Sequence, residues 1–262
     1  MKSGDLVKTA RQGRVVQVLM DNPSTLNAMD EDLGPELTRS LEALAVDSGI
    51  GSVVLSGAGG VFSAGGNLAR AQAYLDEHPG QGAGPVFQSY GKWVQRVLAA
   101  LTSMPQPVVC AVQGVASGAG LAWMLASDYV VVDKEARLIC GFLGVGLPPG
   151  AGISQALPRL AGLPRAAELF MLNRSITPDR ARELGLIDET CPRDQVLPRA
   201  LEVARELASG PSQAMAATKA LLRLASRKRL NEQAESERQE VMHCADQPEF
   251  HKRVQRFAKG RK

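Results

Sequence analysis

The chain has 262 residues, 45% hydrophobic, with 30 Lys/Arg against 27 Asp/Glu and a formal net charge of +3. That length and apolar content supply one sizeable core, whereas so small a charge and only 4% aromatic residues argue against a nucleic-acid surface, which needs a basic face and stacking platforms. No apolar run approaches the roughly 20 residues of a membrane span, and MKSGDLVKTARQG lacks the apolar middle of a secretory leader. With four scattered cysteines and no CxxC pair, the expectation is a soluble, cytoplasmic protein in a reducing setting, with no membrane partner.

Strand-like runs near Leu6 to Thr9 and Arg14 to Met20 flank a Gln12-Gly13 turn signal, the pattern of a hairpin. After NPSTLNAM, Leu33, Leu37, Leu41 and Leu44 recur at helical spacing, with Pro35 tolerable only near the first turn. SVVLSG (52–57) reads as a strand, VFSAGGNL as a glycine turn opening a helix near Asn67, and HPGQGAGP (78–85) as an irregular loop or lid. Helical spacing returns over Phe87 to Thr102. PVVCAVQG then reads as a buried strand, VASGAG as a second glycine turn, and LAWMLASD as a short apolar helix.

YVVVD and ARLICG are the next strand signals, and GVGLPPGAG is a third glycine-rich turn before SQALPRLAG. Thr177-Pro178 has the form of an N-cap with proline at the first helical position, and Gly185 ends that helix. LIDETC is a last strand, followed by helices over Gln195 to Ala208, Ser212 to Ala225 and Asn231 to Cys244. The order of elements divides the chain into a core of repeated strand-strand-helix units, 1–194, and a helical region, 195–262. Between Arg227 and Lys262 ten Lys/Arg face six Asp/Glu, which reads either as a solvated helical face or as a contact for a phosphorylated ligand.

A glycine turn that leaves a strand and opens a helix presents N–H groups without helical acceptors, a setting that favours negative charge. Neither GAGGVF nor SGAGLAW completes GxGxxG, and no GxxxxGK[ST] is present, which disfavours a nucleotide-phosphate loop. A serine hydrolase is equally disfavoured, because no GxSxG exists and His78, His243 and His251 fall in loop or tail positions expected at the surface. No cluster of metal-ligand type occurs either, so no metal is expected. What remains is an oxyanion hole, two amides from separate turns meeting on one carbonyl oxygen.

VFSAGGNL, followed some fifty residues later by PVVCAVQGVASGAGLAWMLASD and then by GVGLPPGAG, resembles the enoyl-CoA hydratase/isomerase, or crotonase, family. VLMDNPSTLNAM and SITPDRARELGLID match its other landmarks, so the resemblance spans nearly the whole chain. It implies an α/β fold, a crotonase-like spiral of strand-strand-helix units with a C-terminal helical region that builds a homotrimer or a dimer of trimers. It implies an acyl-CoA ligand, with no cofactor beyond the CoA thioester itself and no nucleic acid. Carried over by position, the oxyanion donors are the N–H groups of Gly66 and Ala119, the latter standing where the family usually has the middle of three glycines. CoA and its acyl group are expected against Leu26, Ala28, Ala64, Asn67 and Leu68, with Lys252, Arg253 and Arg256 near the CoA phosphates.

The match fails at the acids. Hydratases of the family use two glutamates where this chain has Ala122 and Phe142, and isomerase-type relatives often place an aspartate where Gly150 stands. None of these residues transfers a proton, and each missing acid or base role costs about 10² to 10⁴ in rate. Asp76, Glu77, Tyr90 and Gln95 are the replacement carriers to examine. The resemblance therefore implies a hydratase/isomerase-type enzyme, with a malonyl-type decarboxylase or a non-catalytic acyl-CoA binding protein as alternatives. Phe142 and Leu143 are candidates for an apolar acyl wall, while Trp123 and Met124 are expected in the core of their helix.

Overall fold

In the computed structural model, residues 5–259 are described, with 224–234 and 236 described as backbone only. The chain runs β1 (Val7–Gln12), β2 (Val15–Met20), α1 (Leu33–Ala45), β3 (Ser52–Gly57), α2 (Leu68–Glu77), α3 (Gly84–Ser103), β4 (Val108–Val112), β5 (Val115–Ser117) and α4 (Ala119–Ala126). It continues through β6 (Tyr129–Asp133), β7 (Arg137–Ile139), α5 (Ile153–Ala161), α6 (Leu163–Met171), β8 (Ser175–Ile176), α7 (Pro178–Glu183), β9 (Glu189–Cys191), α8 (Val196–Ser209), α9 (Ser212–Ala245) and α10 (Pro248–Lys259). A six-stranded sheet has the order β1-β2-β3-β4-β6-β9, antiparallel only at the β1–β2 hairpin, and β5-β7-β8 form a second, smaller sheet.

The central strands β3, β4 and β6 are apolar on both faces because both are covered. Val53, Leu55, Val108, Cys110, Val112, Val130 and Val132 join the main core. Their alternates Val54, Val109, Ala111 and Val131 pack under α8 through Val196, Ala200, Val203 and Ala204. This strict period of two is what a pleated strand imposes. Trp123 and Met124 are fully buried in the main core.

The repeat that positions the site has four members. A strand of the large sheet is followed by an extended segment and then a helix: β2, the stretch at Met29, α1; β3, the stretch at Ser63 to Gly66, α2; β4, β5, α4; β6, β7, α5. The second segments stack by parallel pairing, Met29 with Gly66, Ser63 with Ala116, and β5 with β7. Successive glycine turns are thereby brought side by side although they lie some fifty residues apart.

Four elements differ from the sequence reading. VASGAG contains the short strand β5 before its turn, α9 is one 34-residue helix rather than two, and α6 and α10 are additional helices. No helix among the described residues is long and apolar enough to cross a membrane.

Candidate functional site

The site begins with the peptide around Gly66. Met29 N donates to Gly65 O (2.6 Å) and Asn67 N donates to Met29 O (2.9 Å). A parallel bridge of this kind uses the flanking peptides, so the N–H of Gly66 itself points away from Met29. Gly65 has φ +91°, and a Cβ there would lie 2.8 Å from the Ser117 carbonyl oxygen, so only glycine allows this close approach of the two turns. Ser63 and Ser117 are cross-linked by Ser63 N to Val115 O and Ser117 N to Ser63 O, both 3.0 Å.

On the second turn, Gly118 N donates to Ile139 O (3.1 Å). Ala119 is the first residue of α4, so its N–H has no helical acceptor and adds the positive end of the helix dipole. Gly66 and Ala119 both line one cavity of about 400 Å³.

Asn67 is fastened on every side. Its Nδ2 donates to Asp30 Oδ2 (2.9 Å), its Oδ1 accepts from Arg70 N at the start of α2, and its carbonyl accepts from Tyr90 Oη (3.0 Å). Asp30 is in turn held by the N–H groups of Asp32 and Leu33. The Gly65–Gly66 peptide, held through Gly65 O by Met29 N, is thus followed directly by a residue fixed in a buried network. Tyr90 packs its ring close to Gly66, and burial pushes its phenol above the ordinary value of 10.0. At neutral pH it is a donor to Asn67, not a base.

The other walls are mostly apolar. Phe142 faces the cavity: a Cβ at Gly150 would lie 3.3 Å from its ring and one at Gly118 3.9 Å. Phe87, Val94, Leu147 and Val241 also line it. Among the described residues, no Asp, Glu or His does. Cys140 sits between two lining residues, but burial pushes its thiol to about 12, which leaves it protonated. Ala122 faces a separate cavity of about 90 Å³ that shares Ala151 with the larger one.

Of the residues expected from the sequence, Gly66, Ala119, Ala64, Leu68 and Phe142 line the one cavity together. Leu26, Ala28, Asn67 and Leu143 do not line it: Asn67 is taken up by its bonds to Asp30, Arg70 and Tyr90, and Leu26 is partly exposed, its carbonyl accepting from Ala64 N, which ties that turn to the site. Asp76 and Glu77 are exposed on α2 away from the cavity, whereas Tyr90 and Gln95 line it. Lys252, Arg253 and Arg256 are exposed on α10, whose Phe257 reaches the cavity wall. The walls supplied by Arg238, Val241 and Phe257 had no local signal in the sequence, because they come from helices that close over the core from the far end of the chain.

Two glycine turns lining one mostly apolar cavity, carried by a four-fold strand-strand-helix winding, define the crotonase fold. An enoyl-CoA hydratase from Bacillus halodurans superposes with a TM-score of 0.87 at 26% identity, covering 96% of this chain and 99% of that one. The profile of the enoyl-CoA hydratase/isomerase family matches residues 10–262, and the chain belongs to that family. Among curated relatives, 1,2-epoxyphenylacetyl-CoA isomerase of Escherichia coli is 30% identical, with 86% of this chain and 84% of the relative covered. For 2,3-dehydroadipyl-CoA hydratase of the same organism the figures are 30%, 96% and 95%. A 4-chlorobenzoyl coenzyme A dehalogenase of Arthrobacter is also 30% identical over 93% of this chain and 87% of that one.

Proposed function

We propose that this chain binds an acyl-CoA and stabilises the enolate of its thioester between the N–H groups of Gly66 and Ala119. The observation that carries the reading is that Gly66 and Ala119 line a single cavity while the surrounding ladder uses neither of their amides. As negative charge grows on the thioester oxygen, two fixed donors beside a dry wall stabilise it by about 2.7 to 4 kcal/mol each. The family and its relatives favour a hydratase or isomerase type of reaction on the acyl carbons next to that carbonyl.

The lining favours a second reading for the same oxyanion hole. With Ala122, Phe142 and Gly150 at the positions of the family's acids, and no carboxylate or imidazole lining the cavity among the described residues, loss of CO₂ from a malonyl-type thioester needs the least of the protein. The breaking carbon–carbon bond leaves its electron pair as the enolate, and solvent returns the proton. Assembly as a homotrimer or dimer of trimers belongs to the proposal too, supported by exposed Leu163 and Met171 on α6 and Leu221 and Leu222 on α9.

Purified protein incubated with enoyl-, malonyl- and aryl-acyl-CoA thioesters, with products followed by mass spectrometry and binding by calorimetry, separates the readings. Enoyl product supports hydration or isomerisation, malonyl product alone supports decarboxylation, and binding without product supports a non-catalytic binder. Ala119→Pro removes one amide at the first helical position, where proline is tolerated. Turnover is expected to fall about 10² to 10³-fold with the helix intact; unchanged turnover would remove Ala119 from the mechanism.

A further inference from the structure

The acyl cavity has one cationic side chain in its wall, that of Arg238 on α9, among the described residues. Its aliphatic stem crosses α3 at Gly91, where a Cβ would lie 3.0 Å from Arg238 Cγ. A glycine inside a helix costs about 1 kcal/mol relative to alanine, and here its effect is to let the arginine lie flat against α3, one residue beyond the Tyr90 that packs on Gly66. Glu235 takes the side-on donors, Nε at 2.9 Å and Nη2 at 2.6 Å. That pair is three residues apart with Glu235 half exposed, a class of contact worth only a few tenths of a kcal/mol.

Bidentate pairing with a carboxylate is open to the end-on edge of a guanidinium as well. On that edge, among the described residues, Arg238 Nη1 donates to the thioether of Met242, at 3.2 Å. Arg238 and Gln95 also line an outer groove on the far side, together with Lys92, Arg96 and Glu235, three cations against one anion. Arg96 is engaged with Glu42 and Arg238 with Glu235, so the surplus positive charge at the junction comes from Lys92, and a bound carboxylate would share Arg238 with Glu235. A wholly apolar acyl tail would gain nothing from a cation at the end of its cavity and would desolvate it at a cost.

Resting on the acyl-CoA reading, we propose that the acyl group ends in a carboxylate, bound end-on by Arg238 where the cavity meets the outer groove. The substrate class is the CoA monothioester of a dicarboxylic acid, with its free acid several carbons from the thioester.

The test compares dissociation constants of the CoA thioesters of hexanedioic acid and of hexanoic acid for the wild type, Arg238→Lys and Arg238→Met. The wild type is expected to prefer the dicarboxylic thioester at least about tenfold, the preference shrinking with salt. Arg238→Lys keeps part of it, and Arg238→Met abolishes or reverses it. Equal affinities in the wild type, or a preference that Arg238→Met retains, overturn the inference while the acyl-CoA reading stands. Failure of both thioesters to bind takes down that reading and the inference with it. Should Arg238→Met not fold, the wild-type ratio, its salt dependence and the lysine variant decide the matter.

Discussion

Tyr90 and Gly66 form the pair on which the candidate site turns, one holding a carbonyl and the other offering the adjacent amide. The Tyr90 hydroxyl donates to Asn67 O within a buried network, so it acts on chemistry through geometry and is a positioning residue. Tyr90→Phe leaves the Asn67 carbonyl short of a partner, a loss of about 1 to 3 kcal/mol in stability. Its diagnostic effect is a kcat several-fold lower with little change in KM, and a pH profile of kcat unchanged in shape; a profile that lost a limb would instead make Tyr90 the proton carrier. Gly66, Ala119 and Phe142 were legible because glycine turns and a hydrophobe in place of an acid are local statements. Tyr90 stands 23 residues from the carbonyl it holds, and no spacing rule connects the two.

Among the elements, the N-caps were the most readable. Asn67 and Thr177 each accept an N–H three residues on, as their positions before helical runs predict. The C-terminal helices were less so. RKRLNEQAE contains no glycine or proline, and its good helix formers let α9 run unbroken where the spacing predicts two helices, Ser212 to Ala225 and Asn231 to Cys244. In α10, Phe250 and Val254 are buried four residues apart among charged neighbours that hide the apolar stripe.

The α9–α5 junction carries its own expectation. Buried Glu237 accepts from Gly152 N and from Ser154 N (2.9 Å) at the start of α5. Burial raises its carboxyl above the ordinary 4.5, outweighing the lowering pull of those donors. A raised folded pKa means that the folded state binds the proton more tightly, so the stability it contributes is full below 4.5 and declines as pH rises through the folded value. Thermal melts of wild type and Glu237→Gln across pH 4 to 8 should therefore show the wild type losing ground to the variant as pH increases. A difference that grew in the wild type's favour would mean that the capping bonds dominate instead.

For the molecule as a whole, the repeated strand-strand-helix order was legible from local patterns, whereas the winding of those units into a spiral was reached through the resemblance to the family. How the last helices wrap was not legible, because that wrapping depends on surfaces that exist only once the sheet is built. If the cavity is an acyl-CoA site, a cognate thioester at about 100 times its Kd stabilises the fold by about 2.7 kcal/mol, a rise in Tm on the order of 5 to 10 °C for a chain of this size. Differential scanning calorimetry with and without ligand measures it, and CoA alone serves as the reference.

The wall that Arg238, Val241 and Phe257 complete also sets a timetable. Gly66 and Ala119 leave the ribosome long before α9 and α10 do, so during synthesis the paired amides stand beside an open, wet half-pocket. Contacts that close over such sequence distances are slow to form, and the cavity is complete only when the final turns of helix dock. Clipping within α10 of the finished protein would return it to that unfinished condition while leaving the large sheet in place.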